Sequence, residues 1–309
     1  ICFVSSSTNP AMERKADRVI KPASSYYFIR AVISYLLGRN LHNNVFISSQ
    51  CSGFEKYRAE VLKDDFRTLI SGSGLTEEEI TGFAEEFNKK MKAVVIFAEQ
   101  TTDHIVASEL RNLCLLTGKT GKEGSGILCL RSSCNSQGII DMGLAGGDAA
   151  GILSGVENLL VFGEDPVGLA NGDIAIADLI SKTRFRVVQD FRMTATAALA
   201  DGVLPSSYIF ESGGSFTSSG KVISRMPKQR SGPAGPPGFQ QIASILKEVG
   251  QPCSADIEEI HEEMLLSVSG GDDRKLAFIS AGGPATQHLF RHGCNSLEAL
   301  FESEIMHPE

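Results

Sequence analysis

The chain has 309 residues, 42% hydrophobic and 21% charged, the balance of a globular protein large enough for two domains or one big one. Its formal net charge of −8 supplies no cationic surface for phosphate contacts and excludes a general nucleic-acid binder. No apolar run reaches the roughly 20 residues of a bilayer-crossing helix, so no membrane span is expected.

Ile1-Cys2-Phe3-Val4 reads as a core strand with nothing before it and no initiating Met, so a truncated or processed chain is expected. Ala16 to Ile20 reads as a second strand, and Pro22 opens a helical stretch through Gly38. Phe54 to Leu69 has apolar residues spaced one or two helical turns apart and reads as one helix. Thr76 with Glu79 forms a capping box that starts a helix running to about Lys90.

From there short apolar strands alternate with helices. The strands are Ala93 to Phe97, Asn158 to Phe162 and Phe185 to Asp190; the helices are His104 to Thr117, Ile174 to Ser181 and Met193 to Ala200. That alternation predicts an α/β fold, a doubly wound and mostly parallel sheet with helices on both faces. In such folds ligands bind beyond the carboxyl ends of the strands, which directs attention to the segments after Phe97, Phe162 and Val188. Ser231 to Gly238 reads as a rigid linker, followed by helices at Phe239–Val249 and Ile257–Ser267 and a strand at Leu276–Ser280 entering a Gly282-Gly283 turn. The implied division is a partial, mostly helical α/β domain over 1–75, an α/β domain over 76–250, and a helical extension with a short strand over 251–309.

The seven cysteines are scattered without a CxxC pair, so free thiols in a reducing cytoplasm are expected, with a cytoplasmic location. The glycine-rich run Gly118 to Gly126 does not match GxxxxGK[ST] and follows a helix rather than opening one. His288 and His292 have metal-pair spacing but lack the intervening Glu, and read as surface residues. The segment Leu128 to Gly138 places Arg131, Asn135 and Gln137 in a glycine-rich connection between helices. An Arg fork suits a small carboxylate or phosphate, and amides can read a polar ring. The same residues can equally be closing turns.

Several motifs, in order along the chain, resemble the molybdopterin oxidoreductases, and formate dehydrogenase alpha subunits most of all. Phe46-Ile47-Ser48-Ser49 and Gly53-Phe54-Glu55-Lys56-Tyr57 come first, then Asn112 to Gly118, Leu130-Arg131, Asn135-Ser136-Gln137-Gly138 and Asp141-Met142-Gly143. Gly163-Glu164-Asp165-Pro166, Val187-Val188-Gln189-Asp190, Thr194, Thr196, Val203-Leu204-Pro205 and Glu211 to Thr217 follow, so that the likeness runs from Ile1 to about Ser267.

The resemblance implies α/β domains that cradle a molybdopterin guanine dinucleotide carrying molybdenum or tungsten. Arg131 would be the catalytic, substrate-side arginine. Asn135 and Gln137 would lie beside the pterin, and Gly163, Glu164, Asp190 and Thr194 would face the guanosine end. The partners implied are other subunits or domains of a redox complex carrying iron–sulfur clusters. The family's cluster cysteines and metal-ligating Cys or selenocysteine would precede Ile1, and its C-terminal barrel would follow Glu309. No metal ligand is therefore assigned, and the chain alone is expected to oxidise no formate. Where the family has a turn glycine, this sequence has Ile96-Phe97-Ala98-Glu99-Gln100, placing a carboxylate near a polyphosphate. That departure supports a second reading, a non-catalytic scaffold domain like the large peripheral-arm subunit of NADH dehydrogenase.

Overall fold

In the helix Ser25–Gly38, Phe28, Ile29, Ala31, Val32, Ile33, Leu36 and Leu37 are all buried, so the helix is apolar around most of its circumference. Such a helix can only be a core element. Its start is fixed by Ser24, whose hydroxyl accepts the Tyr27 N–H, and helices Phe54–Val61, Phe66–Ser73, Glu77–Lys89 and His104–Leu116 pack around it. The computed structural model describes residues 1–144, 149–169, 174–230, 235–269 and 276–278. The chain divides into two compact units: the first is Ile1–Ile140 and Thr217–Val222 with residues 276–278, and the second is Asp141–Phe216 with residues 223–269. These boundaries do not coincide with a division at 75/76 and 250/251.

A buried ion-pair cluster lies inside the first core. Arg30, with its side chain 3% exposed, reaches Glu109 at 2.7 Å, Asp64 at 2.7 Å and Glu60 at 3.5 Å. The Tyr57 hydroxyl donates to the other oxygen of Glu109. Burial opposes the Arg30 charge, but Glu109 and Asp64 more than offset it and hold the guanidinium protonated.

Four groups of parallel strands make the described structure α/β. Cys2–Val4 pairs with Arg18–Ile20, Cys51–Ser52 with Leu276–Ala277, and Val94–Ala98 with Gly126–Leu130. In the second unit Phe185–Asp190 lies between Asn158–Phe162 and Gly202–Pro205. Gly214–Thr217 pairs with Ile223–Met226. Phe97, Ile127 and Cys129 bury one side of the two-stranded sheet against Ala107 and Cys114 of the helix His104–Leu116.

Several local expectations need correction. The single helix expected over Phe54–Leu69 is two, Phe54–Val61 and Phe66–Ser73, because the Asp65 carboxylate accepts the Thr68 N–H at 3.0 Å and restarts the helix. Residues before Arg131 are not a connection between helices but the strand Gly126–Leu130. The helix expected over Met193–Ala200 is a 3-10 turn, Ala197–Leu199, because the Thr194 hydroxyl takes the Ala197 N–H. The capping box is present, with Thr76 N–H donating to Glu79 at 2.9 Å and Glu79 N–H to Thr76 at 3.2 Å. Of the last strand only Leu276–Ala277 is described; Ser231 to Ala234, the Gly282-Gly283 turn, His288, His292 and Cys294 lie outside the described residues.

Among the described residues no helix is long and apolar enough to cross a membrane. Cys51, Cys114 and Cys129 are buried, whereas Cys134 and Cys253 are exposed. Burial pushes the Cys114 thiol up to about 12 and the Cys129 thiol to about 11, leaving almost no thiolate at neutral pH. Iodoacetamide at pH 8 will therefore alkylate Cys134 and Cys253 within minutes and spare Cys114 and Cys129 until denaturant is added. Mass spectrometry of the labelled native chain checks this, and early modification of Cys114 would contradict the packing described here.

Candidate functional site

Each unit carries polar residues at the carboxyl ends of parallel strands, where an open α/β sheet offers unpaired backbone groups and room for a ligand. In the first unit Ala98 and Leu130 are register partners, so Glu99 and Arg131 leave the two strands side by side. Glu99 N–H donates to Leu130 O at 3.0 Å and extends the ladder by one step. The Arg131 side chain, 1% exposed, meets Glu99 Oε1 at 3.2 Å through Nη1, and its Nε donates to Gln137 Oε1 at 3.3 Å. Glu99 Oε2 accepts the Ser132 N–H at 3.2 Å. Arg131 N–H donates to Ser219 Oγ at 2.9 Å, and Thr217 N–H to Asn135 Oδ1 at 2.9 Å.

Gly138 permits this packing, since a Cβ there would lie 2.5 Å from Asn135 Oδ1 and 3.1 Å from Thr217 Oγ1. The structure thus gathers Arg131, Asn135 and Gln137, but it ties each of them into the protein. Glu99 is what the sequence could not place. A carboxylate already sits on the guanidinium, and the substrate-side role expected of Arg131 is withdrawn for that reason: a buried cation neutralised by an internal anion has little charge left for a substrate anion.

The second unit is arranged differently. Gly163, at φ +63°, turns the chain directly after Asn158–Phe162, and its N–H donates to Gln189 O at 2.8 Å. Asp190 ends the neighbouring strand and is buried; its Oδ1 accepts the Arg192 N–H at 3.1 Å, and its carbonyl accepts the Ser206 N–H at 3.0 Å. Thr194, also buried, opens the following 3-10 turn. Glu164 is exposed, and its carboxylate accepts the Asp165 N–H at 3.3 Å. Gly163, Glu164, Asp190 and Thr194 therefore stand on two adjacent strand ends of one sheet.

Asp165 and Thr196 join those ends. Asp165 Oδ1 accepts Thr196 N–H at 2.9 Å, Thr196 Oγ–H at 2.6 Å and Gly168 N–H at 3.1 Å. Thr196 Oγ1 in turn accepts Val167 N–H at 3.0 Å. The Thr196 hydroxyl bond, with the backbone N–H groups beside it, holds the Asp165 carboxyl below the usual range. Sequence reasoning chose Glu164 over Asp165. The usable signal was the Asp-Pro pair: an acceptor just before a Pro at the first helical position is a helix cap. Among the described residues no group of three or more His, Cys, Asp or Glu is placed to hold a metal ion.

No protein-family model matches the chain. A Staphylococcus aureus (strain USA300) protein named "Putative formate dehydrogenase" is 29% identical over 258 residues, covering 70% of this chain and 26% of the relative. A protein of the same name from strain MRSA252 is 28% identical over the same shares. Acetylene hydratase from Pelobacter acetylenicus superposes with a TM-score of 0.64 at 14% identity, over 81% of this chain and 43% of that one. The chain is similar in sequence to the first two and shares a fold with the third. It spans about a quarter of the length of the curated relatives.

Proposed function

We propose that this chain is an α/β portion of a molybdopterin-dependent oxidoreductase large subunit of the formate dehydrogenase type, and that its second unit cradles the guanine nucleotide tail of the cofactor. The observation that carries the reading is the pair of strand ends joined through Asp165 and Thr196, with the Asp190 carboxylate beside them. The residues fit such a tail. A buried carboxylate at a strand end suits the two neighbouring N–H donors of guanine. The exposed Glu164 carboxylate suits ribose hydroxyls, and the Thr194 region offers a hydroxyl and turn amides to phosphate oxygens. When bound, the cofactor supplies redox chemistry at molybdenum or tungsten; the residues here bind and orient its tail. Iron–sulfur-bearing subunits or domains would accept the electrons.

The Arg131–Glu99 pair favours a second reading, in which the portion retains the fold as a scaffold within an electron-transfer complex and carries no reaction. In both readings Arg131 is structural.

Guanosine diphosphate is the probe that tests the tail site. Calorimetry on the purified chain will show binding of guanosine diphosphate roughly tenfold tighter than adenosine diphosphate, the scale of one well-made base contact. Asp190→Asn, which turns one of the two acceptor oxygens into a donor, will abolish the preference. No binding at millimolar ligand, or equal affinity for the two nucleotides, would remove the reading.

A further inference from the structure

The sheet formed by Val94–Ala98 and Gly126–Leu130 in the first unit is covered on one face only. Register pairs Ile96 with Leu128 and Ala98 with Leu130. Strand alternation therefore sets Val94, Ile96, Leu128 and Leu130 on the face opposite Phe97, Ile127 and Cys129. That face meets solvent: Val94 is 39%, Ile96 59% and Leu130 46% exposed. Parallel sheets are ordinarily covered on both faces, because their strands are apolar on both. Lysines gather at the amino ends of the same two strands. Lys89, Lys90, Lys92 and Lys122 are exposed. The Lys92 stem lies over Gly124, where a Cβ would stand 2.9 Å from its Cδ. Lys119, 1% exposed, donates to Asn88 O at 3.3 Å, and burial, then the charge of Lys122, hold its ammonium below the usual lysine range. Among the described residues none of these lysines forms an ion pair. Glu123 is the only carboxylate in the stretches 88–93 and 119–126, so a local excess of positive charge stands on a chain of net charge −8.

We infer that this bare face docks an acidic amphipathic helix of a partner polypeptide, its apolar stripe on Val94, Ile96, Leu128 and Leu130 and its carboxylates toward the lysine rim. The inference is independent of the nucleotide reading above, which concerns the second unit. A helix is the element that covers a parallel sheet. Size agrees: two strands of five residues make a face roughly 17 Å long and 10 Å wide, the footprint of about three turns of helix. That area is well short of the ~800 Å² that each partner buries in a stable dimer, which argues against two copies laid face to face. The sign of the partner follows from the rim. Uncompensated lysines attract carboxylates and repel a cationic helix, and such charges select a partner more than they tighten it.

The test uses two fluorescein-labelled helical peptides with the same leucine stripe, one carrying glutamates and the other lysines at its charged positions. Each is titrated into the whole chain at low salt, with binding read by anisotropy and the mass of the free chain by sedimentation. The acidic peptide will bind about tenfold or more tighter than the basic one, and salt will erode the difference. Ile96→Ser, at a side chain 59% exposed and so with little effect on the urea midpoint, will weaken the acidic peptide by about tenfold. Lys90→Glu combined with Lys122→Glu will reverse the preference while leaving the apolar face intact. The two variants separate the apolar contact from the charge. Equal affinity for the two peptides, no binding of the acidic one, or acidic binding untouched by Ile96→Ser overturns the inference. A wild type that self-associates and becomes monomeric on Ile96→Ser also overturns it, since a second copy then covers the face.

Discussion

Arg30→Met will destabilise the first unit by about 3–5 kcal/mol, the usual cost of removing one partner from a buried ion pair. The Glu109 side chain is 0% exposed and faces Arg30 at 2.7 Å, so its charge would be left inside the core with only hydrogen bonds such as that from Tyr57. Asp64 and Glu60 are about a third exposed and hydrate readily. Combining Arg30→Met with Glu109→Met should recover part of the loss by removing the stranded charge. The penalty depends on pH. Burial raises the Glu109 carboxyl above its ordinary value, and Arg30 is the largest influence holding it down. Without Arg30 the folded-state value rises further while the unfolded value is unchanged. The folded state then binds a proton that the unfolded chain does not, so stability is present below the unfolded pKa and is lost as pH rises through the folded one. Urea unfolding should show a smaller deficit near pH 5 than near pH 8; a deficit independent of pH would mean that Glu109 is not the stranded group.

Glu99→Ala will cost about 2–4 kcal/mol, somewhat less than a fully buried case because Glu99 is 24% exposed. The asymmetry with its partner is the sharper test. Arg131→Met leaves a carboxylate that water can reach, whereas Glu99→Ala leaves a guanidinium only 1% exposed without that carboxylate. Arg131→Met should therefore cost less than Glu99→Ala, and Glu99→Gln should fall between wild type and Glu99→Ala by keeping an acceptor. Urea midpoints for the three variants decide it. Glu99→Ala at wild-type stability would show that the ion pair does not hold this strand end, and the substrate role of Arg131 would be open again.

What could be read from the sequence was whatever depended on local periodicity and caps. The core helix Ser25–Gly38, the Thr76–Glu79 box and the strands Val94–Ala98, Asn158–Phe162 and Phe185–Asp190 all lay close to where the residues pointed. The strand Gly126–Leu130 was hidden because its glycine-rich approach reads as loop and its partner strand lies about thirty residues earlier. The split at Asp65 and the short turn at Ala197–Leu199 were lost to side chains that compete for backbone N–H groups, an effect periodicity ignores. At the candidate sites the residue types were legible but their partners were not. Glu99 reads as an intrusion near a phosphate until the register sets it beside Arg131. Asp165 looked secondary to Glu164 until Thr196, thirty-one residues on, closed on it.

Hydrogen exchange of the whole chain, with and without guanosine diphosphate, tests the central claim most directly because it locates the ligand without a substitution. The strand-end cradle predicts slowed exchange at the amides of residues 163–168 and 190–197, with the core helix Ser25–Gly38 unchanged. Protection confined to the first unit, or none anywhere at saturating nucleotide, would contradict it.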